Sequence, residues 1–110
     1  MQTGDNSKFA FNFERLDWRK AVDFSDAVYR LTRNFPEEER FGLASQMRRA
    51  AVSIASNLAE GSSRSWRADF ARFIEIAAGS VFEVVALAEI ALRLGYLWNA
   101  PAAELGGSAA

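Results

Sequence analysis

Cysteine and histidine are both absent from this chain, and proline occurs only twice in 110 residues. Without cysteine there are no disulfides, no thiolate metal sites and no sulfur nucleophile, which fits an expectation of a cytoplasmic protein. Without histidine the usual general base near neutral pH and the commonest transition-metal ligand are gone. Only carboxylates remain for acid–base work. Glu75 and Glu83 stand eight residues apart with Glu89 offset, so they suggest neither a paired-carboxylate site nor a metal cluster. The expectation is a protein that is not an enzyme and holds no metal or cofactor. Long uninterrupted apolar runs are also missing: Glu75, Glu83, Glu89 and Arg93 break the most apolar segment, 70–94, so no membrane span is expected. The N-terminal residues lack the pattern of a signal peptide.

What is present is hydrophobic periodicity. Half of the residues are hydrophobic and a quarter charged, with a net charge of −1, the balance of one folded domain. Trp18, Ala21, Val22, Ser25, Val28, Tyr29 and Thr32 recur at helical spacing and predict a first helix over about 17–33, with Asp17 as its cap. Pro36 and Glu37 to Glu39 suit the start of a second helix, which runs to a terminating Gly61. A third helix is expected from a Ser65 cap to a Gly95 terminator. Phe70, Phe73, Ile74, Ala77, Val81, Val84, Val85, Leu87, Ala88, Ala91 and Leu92 cover more than half of its girth, while Arg72, Glu75, Glu83 and Arg93 mark a solvated lane. A helix this apolar needs cover on several sides.

The fold class is therefore an all-α, up-and-down antiparallel bundle with three long helices. Residues 1–16 form an N-terminal arm, 17–97 the bundle and 98–110 a short tail. In the arm Phe9, Phe11 and Phe13 alternate with smaller residues, an extended pattern that packs on its own bundle or docks on a neighbouring subunit. The tail, with Pro101, Gly106 and Gly107, has room for a helix of a turn or two only.

The second helix carries two stripes. Leu43, Met47, Ala50, Ala51, Ile54 and Leu58 make an apolar face; Gln46, Arg49, Ser53, Asn57 and Glu60 make a polar strip beside it. The strip mixes one acid, one base and neutral groups. That mixture favours hydrogen bonding across a helix or subunit interface over contact with an external ligand. Charge is unevenly spread: Arg40, Arg48, Arg49, Arg64, Arg67 and Arg72 face only Glu60 and Asp69 between positions 40 and 72. Arg48, off the core face, and Arg64, Arg67 and Arg72 are the candidate contacts to nucleic-acid phosphates, the alternative being ordinary surface charges paired with neighbouring acids. Trp66 beside them either stacks on a base or packs locally. The loop 61–65 has no lysine at nucleotide-binding spacing.

The order of Phe13 to Trp18, Phe35 and Pro36, Phe41 to Leu43, the 46–61 segment, Ala77 to Ser80 and Leu94 to Leu97 resembles the bacterial 23S rRNA intervening-sequence proteins. The pattern Gln46, Arg49, Ser53, Asn57, Glu60, Gly61 is its most specific part. The resemblance implies a four-helix bundle assembling as a ring-like homopentamer. It also extends to the accessory variability proteins of diversity-generating retroelements, basic pentameric barrels that bind nucleic acid and a reverse transcriptase. Against that pattern the fourth helix is short or missing after Leu97. The function implied is a non-enzymatic, self-associating, nucleic-acid-associated scaffold, with RNA or DNA and, by analogy, a reverse transcriptase as partners; the alternative is a purely structural oligomer or protein adaptor.

Overall fold

The computed structural model describes residues 17–97, so the N-terminal arm with Phe9, Phe11 and Phe13, and the tail from Trp98, lie outside the described residues. The order is α1 (Trp18–Thr32), a single 3-10 turn (Glu37–Glu39), α2 (Leu43–Ser62) and α3 (Arg67–Arg93). The architecture is the expected all-α bundle with three long helices. No helix among the described residues is long and apolar enough to cross a membrane.

Local chemistry sets the boundaries. Asp17 Oδ1 accepts from the Arg19 amide at 3.1 Å and caps α1. The 37–39 glutamates do not open α2 as expected; they make a separate turn, and the chain kinks through Phe41 and Gly42 before α2 begins. Glu39 still serves that helix from outside, because its Oε1 accepts from the Leu43 amide at 3.0 Å. At the other end α2 does not stop at Gly61. The glycine is helical and buried, and a Cβ there would stand 3.1 Å from Phe73 Cβ, so it serves close approach to α3 rather than termination. Ser65 does not cap α3 either: Trp66, in an extended conformation and without a side-chain cap bond, holds that place. Gly95 ends α3 as expected, at φ +83°. Its amide donates to Leu92 O at 3.0 Å and the Tyr96 amide to Ala91 O at 2.8 Å, the paired bonds of a Schellman ending.

α2 lies between its neighbours, packed on both α1 and α3. It meets them through small residues, Ala44, Ala50, Ala51 and Ala55, alternating with Leu43, Met47 and Ile54, all buried. The buried residues of α3 are Phe70, Phe73, Ala77, Ser80, Val84, Leu87 and Ala91. Their three-and-four alternation is the seam of a coiled-coil-like contact, and each large member contributes roughly 1.5–3 kcal/mol by leaving water. Burial is therefore narrower than the apolar pattern: on α1 only Ala21, Val28 and Thr32 are buried, while Val22 and Tyr29 are exposed, because among the described residues α1 packs chiefly against α2. On α3 the flank beside the seam stays open, with Val81 43%, Val85 61% and Phe82 75% exposed.

Polar contacts register both junctions. Arg48 Nε of α2 donates to Thr32 Oγ1 of α1 at 2.7 Å, and Ser80 Oγ of α3 donates to Ser53 Oγ of α2 at 2.9 Å. The Tyr96 hydroxyl, just past α3, donates to Glu39 Oε2 at 3.1 Å, and its ring lies 5.5 Å from that of Phe35. Burial, then the Glu39 hydrogen bond and the charges of Glu39 and Glu38, push the Tyr96 phenol above its ordinary value of 10.0.

Candidate assembly and nucleic-acid surfaces

The polar strip of α2 is split between internal and open roles. Ser53 sits at the α2–α3 junction, where it accepts from Ser80 and, at 3.1 Å, from Asn57 Nδ2; the same amide donates to Ser53 O at 2.8 Å. Nearer the start of α2, Gln46 and Arg49 are exposed and share with Ser53, Ser80 and Glu83 a groove of about 450 Å³ between α2 and α3. Glu83 thus belongs to the rim of this groove and not only to a solvated lane. Among the described residues neither Arg49 nor Glu83 has an ion-pair partner, although both line the groove. Glu60, at the far end of the strip, is engaged on the surface by Arg64 Nη2 at 2.9 Å.

The four arginines expected to touch phosphates do not form one patch. Arg48 does not stand off the core: it is half-buried, bonded to Thr32, and its guanidinium lies 4.6 Å from the centre of the Tyr29 ring. Sixteen residues of helix and turn separate it from Arg64, roughly 24 Å at 1.5 Å per residue. Arg64 and Arg72 do gather, at the α2–α3 corner where Arg67 begins α3. Arg64 and Arg72 lie over the Phe73 ring at 4.8 and 5.2 Å, the geometry of cation–π contact. Arg64 is held there by Glu60, and its Nε is buried with no hydrogen-bond partner among the described residues. Arg67 is exposed in the first turn of α3. Trp66 does not pack locally; it is 74% exposed beside this corner.

Ser80, Thr32 and Tyr96 take part in hydrogen bonds between elements and lie outside the polar strip, which supplies only Ser53 to them. Ser80 had a readable signal, being the one hydroxyl in an otherwise apolar three-and-four seam. Among the described residues no group of three acidic, histidine or cysteine side chains is placed to hold a metal ion.

The search of curated proteins yields no match to the chain. The family model described as 23S rRNA-intervening sequence protein matches residues 15–109. The family-like motifs end at Leu97, whereas this match continues through 98–109 and takes the tail into the family's span. With nearly the whole length matched, the chain belongs to the 23S rRNA-intervening sequence protein family.

Proposed function

We propose that the protein is a non-enzymatic, self-associating bundle that works in the cytoplasm as a nucleic-acid-associated scaffold. The observation that carries this reading is the open flank of α3, where Val81, Phe82 and Val85 stand exposed side by side. An apolar strip of this kind on a soluble bundle marks a contact surface, and a second copy supplies a matching one. Arg49 and Glu83 at the neighbouring groove, without an ion-pair partner among the described residues, add charges of both signs, suited to fixing the register of such a contact. Nucleic acid is then met by the corner of Arg64, Arg67, Arg72 and Trp66, repeated on each subunit of the assembly.

A light-scattering mass on the whole chain tests self-association. An oligomer is expected, and F82E together with V85E is expected to give a monomer that keeps its helical circular dichroism. A monomeric mass for the unaltered chain at every concentration overturns the reading. Binding of single-stranded and duplex RNA or DNA across a salt series tests the second half: R67Q and R72Q should weaken it and flatten its salt dependence. The engagement of Arg64 by Glu60 and Phe73 favours the alternative, a structural oligomer or protein adaptor without nucleic acid. An oligomeric protein that binds no nucleic acid even at low salt would establish that alternative.

A further inference from the structure

We propose that the corner between α1 and α2 is a pocket for a terminal phosphate monoester, held by Arg33, Arg40 and Arg48. A cavity of about 250 Å³ opens here, with Thr32, Phe35, Pro36 and Ala44 as its inner wall and the three arginines and Glu37 completing its lining. Thr32, Phe35 and Ala44 are buried, so the inner wall is fixed by the core itself. That space has room for a phosphate and a small attached group.

The charges are arranged for an anion. Arg48 is preorganised: Thr32 gives its hydroxyl proton to Val28 O at 2.8 Å and so presents its oxygen to Arg48 Nε at 2.7 Å, while Nη2 reaches Tyr29 O at 3.4 Å. A guanidinium has five N–H donors, and Arg48 spends two of them on these contacts. Arg40 Nη1 is paired with Glu37 Oε2 at 2.9 Å, which offsets the one carboxylate in the lining. Arg33 makes no ion pair among the described residues. Three arginines against one glutamate leave the lining two positive charges in excess. A phosphate monoester carries close to two negative charges near neutral pH, whereas a phosphodiester or a carboxylate carries one. Arginine also matches phosphate oxygens with paired N–H donors. The charge and the pocket's size together select a terminal phosphate over the backbone of a polynucleotide, and the inference does not depend on the scaffold reading.

The test is a titration of the whole protein followed by amide NMR, with ribose 5-phosphate, a 5′-phosphorylated oligonucleotide and the same oligonucleotide ending in a 5′-hydroxyl. Saturable shifts at residues 32–48 are expected with the free sugar phosphate, the phosphorylated oligonucleotide, or both, and these two arms separate a metabolite source from a nucleic-acid end. R33Q and R40Q, both on the surface, should each raise the dissociation constant for ribose 5-phosphate about tenfold. R33K should retain part of the affinity. No saturable shift at 32–48 with either phosphorylated ligand overturns the proposal. So does equal binding of the 5′-hydroxyl oligonucleotide at these residues, or an affinity that R33Q and R40Q fail to change in proteins with unaltered circular dichroism.

Discussion

Ser80 donates its hydroxyl hydrogen to Ser53 Oγ across the α2–α3 seam at 2.9 Å, and Asn57 Nδ2 approaches the same oxygen at 3.1 Å. Ser80 is buried, so removing its acceptor takes away its hydrogen-bond partner across the seam. S53A is expected to cost about 1–2 kcal/mol, and S53A combined with S80A less than the sum of the single changes. Urea unfolding of the three variants gives the coupling directly; strict additivity would mean that the two hydroxyls do not interact.

Thr32 and Arg48 form the corresponding contact at the other face of α2. T32V keeps the shape of the side chain and removes only the oxygen. A loss of about 1–2 kcal/mol is expected, because the hydrogen bond has a charged donor. Denaturation midpoints at unchanged slope would report it.

Two glycines should respond in opposite directions to alanine. Gly79 lies within α3 with open space where a Cβ would go, so G79A should stabilise the free subunit by roughly 0.5–1 kcal/mol. Gly95 sits at φ +83°, where an L side chain is strained, so G95A should destabilise by about 1 kcal/mol despite equally open space. Thermal unfolding distinguishes these signs.

The raised phenol of Tyr96 gives the protein an alkaline limit. Because the folded state holds this proton more tightly than the unfolded chain, the contribution is complete below the ordinary value of 10.0 and is lost as pH rises through the higher folded value. Melting temperatures measured from neutral pH upward should fall above that point, and Y96F should remove the part of the fall that belongs to Tyr96. An unchanged alkaline slope in Y96F would contradict this assignment.

Much of the fold was legible because it depends on patterns local in sequence. Asp17 before an amphipathic run and Gly95 after a long one state where helices begin and end, and both act as expected. The departures share a different cause. Gly61 resembles a terminator in sequence, but its effect comes from the Phe73 side chain packed against it, a contact made across a turn. Glu39 looked like part of a helix start and instead reaches both Leu43 and Tyr96, the latter from the far end of the chain. The candidate sites follow the same division. Arg64 and Arg72 meet because a short turn brings them to Phe73, whereas Arg48 is drawn away by Thr32 and joins Arg33 and Arg40, neighbours that no helical spacing relates to it.

The position of α2 between its two partners also shapes how the molecule opens. Each outer helix packs chiefly on the helix next to it in the chain, so most contacts form between segments close in sequence, a condition for rapid folding. Opening is then graded. The C-terminal end of α1 leads into the corner clasped by Phe35, Glu39 and Tyr96, while among the described residues its Trp18 end meets α2 beside an open apolar groove. Amide hydrogens should therefore exchange first in the opening turns of α1, later at its Thr32 end and last along the shared alanine-rich centre of α2, so that the subunit loosens from one tip without releasing its middle.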